Sequence, residues 1–180
     1  NYLAGFVGKP VLPLDAPEVS AAIERVQKRT DALLNCGGTH RPEWFHRKLG
    51  DILYEGCGVA RDEAGLLDAL TKVRELREEF WRDVKVVGTG NRLNQELEKA
   101  GRVADFIELG ELMCIDALNR RESCGGHFRA ESQTEDGEAL RHDDEFAYVA
   151  AWEFGDDAGP VLHKEDLIYT AIEMKQRSYK

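Results

Sequence analysis

Val103-Ala104-Asp105-Phe106-Ile107-Glu108-Leu109-Gly110-Glu111-Leu112-Met113-Cys114-Ile115-Asp116-Ala117-Leu118 decides the fold. Its apolar residues fall on most sides of a helix: Phe106, Ile107, Leu109, Leu112, Met113, Cys114, Ile115, Ala117 and Leu118. Such a helix is buried on most sides. It is either the central helix of a bundle or one packed partly on a surface outside this chain. The same helix reaches back to about Leu93, and that first half is amphipathic.

Three more helices precede it. Asp62 can cap a helix whose stripe is Leu66, Leu70, Val73, Leu76 and Phe80. Pro42 opens another, with Trp44, Phe45, Leu49, Ile52 and Leu53 on or near one face and Gly56 and Gly58 closing it. Asp15-Ala16-Pro17-Glu18 reads as a capping box at the start of the first. Its face is Val19, Ala22, Ile23, Val26, Leu33 and Leu34, and Cys36-Gly37-Gly38 ends it. Residues 83–91 connect the third helix to the fourth. Residues 119–145 are polar and contain glycine. Phe146 to Phe154 reads as a strand, Gly155 to Gly159 as a turn and Pro160 to His163 as the returning strand. The expected fold is mainly α: an antiparallel three- or four-helix bundle of the spectrin-repeat kind with a small C-terminal β-hairpin. Residues 1–14 are a lead-in, 15–120 the bundle and 121–180 loop, hairpin and tail. Leu70 and Leu112 are both expected in the core.

Charge narrows the partners. The 180 residues hold 34 acidic and 24 basic side chains, a formal net charge of −10. Nucleic acid requires clustered Lys and Arg, so it is excluded, as is binding to an anionic lipid surface. No apolar run reaches the roughly 20 residues that span a bilayer. Cys36, Cys57, Cys114 and Cys124 form no C-x-x-C pair, which fits a reduced, cytosolic setting. The start at Asn1 reads as a cut inside a longer protein.

Small motifs carry little chemistry. Cys36 with His40, and Cys124 with His127, have ligand-like spacing but lack zinc-motif partners, so no metal is expected. Cys124 and His127 as nucleophile and base would need an orienting group that the sequence does not identify. His40, Trp44, Phe45 and His46 read as a core aromatic cluster. Arg74 and Glu78 form an i,i+4 pair on a solvated face. The acidic stretch Glu131 to Glu145 is read as a loop, with a docking role left open. Gly88-Thr89-Gly90-Asn91 lacks the third glycine of a dinucleotide fingerprint.

Three segments carry a resemblance. Leu53-Tyr54-Glu55-Gly56-Cys57-Gly58 looks like the glycine-cysteine helix end in the C-terminal domain of succinate dehydrogenase/fumarate reductase flavoproteins. Val103 to Met113 resembles that family's E-L-x-x-L/M helix. Arg121-Glu122-Ser123-Cys124-Gly125-Gly126-His127-Phe128-Arg129 resembles the E-S-R-G-A-H-x-R segment behind that helix. Order and spacing agree from about Arg47 to the end. The sequence departs at Cys124, where arginine is usual, and at Gly126, where alanine is usual.

The resemblance implies an FAD-dependent oxidoreductase of the tricarboxylic acid cycle and electron transport as parent protein. In that family an N-terminal Rossmann-like domain holds FAD, and substrate sits beside it. Those motifs are not in this sequence. The chain is therefore expected to carry no catalytic, cofactor-binding or metal residues and to be inactive alone. Its docking residues toward the FAD-binding domain would be Arg121, Glu122, Ser123, His127 and Arg129. Further implied partners are an iron–sulfur subunit and, through the complex, a membrane anchor at the cytoplasmic face of the inner membrane. A bared apolar patch would favour self-association. L-aspartate oxidase is the nearest rival, against which the hairpin and the tail Arg177-Ser178-Tyr179-Lys180 speak. A free-standing helical binding module is the second.

Overall fold

The computed structural model describes residues 2–155 and 159–175. Four long helices dominate: α1 (Pro17–Asn35), α2 (Pro42–Gly56), α3 (Glu63–Asp83) and α4 (Gln95–Asn119). Two-residue strands β1 (Ala60–Arg61) and β2 (Phe128–Arg129) pair in parallel, and a short α5 (Asp143–Phe146) leads into the antiparallel hairpin β3 (Tyr148–Glu153) and β4 (Val161–Asp166). The expected mainly α bundle with a C-terminal hairpin is what forms.

Packing gives the helix directions. Phe45, at the start of α2, meets Phe80, at the end of α3, edge to face at 5.2 Å. Around them lie Leu33, Leu49, Val73, Leu76, Ala100, Val103 and Ile107. A second cluster joins the end of α2 (Cys57), the start of α3 (Leu66, Ala69, Leu70) and the end of α4 (Cys114, Ala117). Starts thus meet ends, so α3 runs against both α2 and α4. Glycine permits the closest approaches. A Cβ on Gly110 would stand 3.2 Å from Leu53 Cδ1, and one on Gly38 would lie 2.0 Å from the Asp83 backbone.

Several details depart from the sequence reading. Ala16, not Asp15, is the N-cap of α1, and no side chain caps it. Pro17 takes the first helical position and leaves Asp15 one residue too far out. Asp62 does cap α3, accepting from Gly65 N at 2.7 Å. Asn94, unforeseen, caps α4 by accepting from Glu96 N and Leu97 N. In α1 only Leu33 is buried, while Ile23 and Val26 stay exposed, because α1 packs chiefly along α4. Leu70 is buried, but Leu112 is only half-buried. Trp44 is exposed beside a buried Phe45. Arg74 pairs with Glu111 at 2.7 Å instead of Glu78.

The hairpin begins later and ends later than expected. Phe146 closes α5, whose acidic first turn of Asp143, Asp144 and Glu145 suits a helix N-terminus. Strand pairing then runs from Tyr148↔Asp166 to Glu153↔Val161. Residues 156–158 of the expected turn, and the tail Arg177 to Lys180, lie outside the described residues. Trp152 Nε1 donates to Asp116 Oδ1 at 2.7 Å, and Asn119 Nδ2 donates to the Tyr148 hydroxyl at 3.1 Å. These bonds seat the hairpin on the end of α4. Among the described residues no helix is long and apolar enough to cross a membrane.

Candidate functional site

The segment behind α4 is built around buried polar side chains. Glu122 is 2% exposed, Ser123 0% and Arg129 3%. Each is satisfied within the chain, as burial demands. Ser123 Oγ accepts from Arg129 N at 2.8 Å and donates to Arg129 O at 3.1 Å. Arg129 Nη1 donates to Ala117 O at 2.8 Å, a carbonyl in the last turn of α4. Glu122 pairs with Arg120 Nε at 3.3 Å and accepts from His142 N at 2.9 Å.

Arg129 also grips Glu131, Nε to Oε2 at 3.1 Å. Glu131 Oε1 accepts from Glu63 N at 2.6 Å, at the start of α3. The Arg129 hydrogen bond, helped by Glu63 N–H, holds the Glu131 carboxyl down at about 2. The loop is thereby bolted to the helix before it and to the helix N-terminus beside it.

His127 is half-buried and both ring nitrogens are engaged. Arg61 Nη1 donates to Nδ1 at 3.0 Å, because a guanidinium has no acceptor. Nε2 must then carry the proton, which it donates to Arg120 O at 2.7 Å. Burial pushes the His127 pKa down, and the charges of Arg61, Arg129 and Arg120 add to the effect. This neutral imidazole is a strut. It has no free nitrogen to serve as a base for Cys124.

Cys124 and His127 bond back to back, Cys124 N to His127 O at 2.8 Å and the reverse at 3.0 Å. Gly125 and Gly126 make the exposed tip between them. Gly125 has φ +60, a left-handed value that glycine adopts freely; positive φ at the first central residue only is the pattern of a type II′ turn. Of the five sequence-derived docking residues, four stand inside the frame and Arg121 is exposed. The side chains shape the loop, and the surface it presents is Arg121 with the glycine tip.

The sequence reading missed Arg61, Arg120 and Glu131. Arg61 enters through the two-residue β1–β2 pairing, Ala60↔Phe128 and Arg61↔Arg129, which is too short to leave a periodic signal.

Other places offer less chemistry. A groove of about 750 Å³ lies between α3, α4 and the hairpin, with Leu109, Leu112, Ile115 and Phe154 in its wall. Arg74 and Arg77 at its edge are both turned to Glu111. Phe106, Leu109 and Met113 leave an apolar stripe exposed along α4. Cys36 Sγ donates to Trp81 O at 3.5 Å, while His40 turns to Asp83 at 2.6 Å, so they do not converge. Among the described residues no three His, Cys, Asp or Glu side chains are grouped to hold a metal. The Gly88–Asn91 turn does not fit a dinucleotide pyrophosphate. Asn94 fills it, donating to Val87 O and Thr89 O, and takes the N–H groups at the start of α4 for itself.

A family model described as "Fumarate reductase flavoprotein C-term" matches residues 46–179. The fumarate reductase flavoprotein subunit of Serratia sp. (strain ATCC 39006) is 26% identical over 170 residues, covering 93% of this chain and 27% of that protein. The succinate dehydrogenase flavoprotein subunit of Bacillus subtilis (strain 168) is 22% identical over 165 residues, covering 88% and 26%. An E. coli quinol fumarate reductase FrdA mutant superposes with a TM-score of 0.76 at 26% identity, over 96% of this chain and 28% of that one. The chain spans about a quarter of the length of the curated relatives it matches.

Proposed function

The chain belongs to the fumarate reductase flavoprotein C-terminal family, and from that premise we propose that it is the helical, non-catalytic end of a flavoprotein subunit that interconverts succinate and fumarate. The parent protein would bind FAD in a separate domain. It would pass electrons to an iron–sulfur subunit and on to quinone, and meet the cytoplasmic face of the inner membrane only through the assembled complex. Hydride chemistry belongs to the flavin, and protein supplies its binding and orientation. The residues of this chain supply a frame for assembly.

In this reading the loop of Arg121, Glu122, Ser123, His127 and Arg129 docks on the FAD-binding domain. Glu122, Ser123, His127 and Arg129 hold its shape from within. Arg121 and the Gly125–Gly126 tip make the contact, where the absence of side chains lets two backbones come close. The observation that carries the proposal is the contrast inside the loop: buried, fully bonded polar residues holding an exposed glycine turn. A surface loop needs no such frame unless its outline matters.

The test is His127→Ala in the full-length subunit. Loss of the strut should weaken flavin retention and assembly together with turnover. Normal assembly with abolished turnover would instead place His127 in the chemistry and overturn the docking role. The 180-residue chain alone should be colourless and should reduce no dye with succinate.

A further inference from the structure

The open stripe on α4 has no part in the docking loop. Phe106 is 42% exposed, Leu109 53% and Met113 46%. A contiguous apolar stripe at a protein surface marks a contact site. Arg102 and Asp116 continue the stripe at its two ends. Positions 102, 106, 109, 113 and 116 are spaced by four and three residues in turn, which keeps all five on one line of the helix. Beside the stripe a cleft of about 260 Å³ opens between α4 and α2, with His46, Gly50, Leu53 and Met113 in its wall. Gly50 is exposed in mid-helix, with nothing within 4 Å of where its Cβ would stand. A glycine there weakens the helix relative to alanine. Nothing among the described residues uses the space it leaves.

We propose that this face is an interface between two copies of the chain, in which α4 lies antiparallel on its twin about a two-fold axis at Leu109. The charges carry the choice of partner. Arg102 and Asp116 stand seven residues to either side of Leu109. Antiparallel pairing about Leu109 sets each Arg102 opposite Asp116 of the second copy, so one face supplies both halves of two ion pairs, as a two-fold contact requires. Parallel pairing would set Arg102 on Arg102 and Asp116 on Asp116. In the antiparallel register Glu98 falls opposite Arg120 and Lys99 opposite Asn119. No like charges on the face are directly opposed, and such complementarity fixes register.

Both end groups can turn to the second copy. Arg102 pairs with Glu98 of its own helix, and both side chains are more than half exposed. Such a surface pair is weakly held. Asp116 commits Oδ1 to Trp152 Nε1 and leaves Oδ2 for the partner. Between the ends, Phe106 and Leu109 of each copy close over Leu109 and Met113 of the other, and water leaves the apolar surface of both. α2 runs beside α4 in the same direction. The gap at Gly50 lets the two α2 helices approach as their α4 neighbours meet.

Sedimentation of the 180-residue chain should show monomer passing to dimer as concentration rises through the micromolar range, as a small interface allows. Leu109→Asp sets two carboxylates at the axis and should leave a monomer. Its helical circular dichroism should be unchanged, because Leu109 is half-exposed. Arg102→Glu should weaken the dimer about tenfold or more by facing Asp116 with a like charge. Cross-linking reads the orientation, with Cys36→Ser and Cys124→Ser removing the two less buried native thiols. Under mild oxidation Leu109→Cys should join two chains. Arg102→Cys should not, because its two copies would stand about 21 Å apart along the helices. A chain that stays monomeric at millimolar concentration, a dimer that survives Leu109→Asp, or equal cross-linking at positions 102 and 109 would each overturn the proposal. So would a monomeric full-length subunit in which position 109, carrying Leu109→Cys, resists a maleimide, since the rest of that subunit would then cover the face.

Discussion

The bundle and the loop behind it both bury side chains, yet they are held by different forces. Between α2, α3 and α4, side chains such as Phe45, Phe80 and Ile107 exclude water by apolar contact. That attraction is non-directional and scales with buried area. From Glu122 to Glu131 the buried groups are a carboxylate, a hydroxyl and a guanidinium, each tied to a particular partner. Such bonds add little net stability but cost much when one partner is removed. The bundle therefore sets how stable the chain is, and the loop sets one outline at its end.

That contrast can be broken by substitution. Phe80→Ala empties the centre of the bundle and should cost roughly 3–5 kcal/mol in urea unfolding; a change typical of a surface site would show that the core lies elsewhere. Leu70→Ala should cost about 2–5 kcal/mol, and Leu112→Ala clearly less, because Leu112 is half in the groove beneath the hairpin. Equal losses would contradict that placement. Arg129→Met should cost about 1–3 kcal/mol through the Ala117 carbonyl it leaves behind. Its main effect should be faster amide exchange over residues 121–132, with the α2–α4 core unchanged. A loss spread evenly through the bundle would erase the distinction between the two regions.

Acid supplies the smallest and most selective probe. Glu131 is held at about 2 in the folded chain against an ordinary value of 4.5. Its stabilisation is whole above pH 4.5 and is lost as pH falls toward 2, because the unfolded chain takes up the proton first. His127, whose pKa is also lowered, acts in the same direction from pH 6.5 downward. Urea midpoints followed down this range should fall, and Glu131→Gln should flatten the lower part of the slope. An unchanged slope would remove the Arg129–Glu131 pair from the account.

The two regions also differ in how far the sequence reveals them. The stripe from Leu66 to Phe80 and the cap at Asp62 are local patterns, and both appear in the structure. Local reading fails where a neighbour overrides it. Pro17 moves the start of α1, and Glu111 draws Arg74 away from Glu78. On α4, hydrophobicity alone suggests burial on most sides and does not say which side stays open; Phe106, Leu109 and Met113 face outward. The loop was visible only through its likeness to a known motif. Its inward strut joins Arg61 to His127 across 66 positions, which no periodicity encodes.

Hydrogen exchange at residues 121–129, compared between the isolated chain and the full-length flavoprotein subunit, tests the docking claim most directly. The account predicts that amides at Gly125 and Gly126 exchange fast in the chain alone and become protected in the full subunit, while Val103 to Ile107 exchange alike in both. Equal exchange at the glycine tip in the two forms would mean that this loop touches no neighbour, and the docking role would fall.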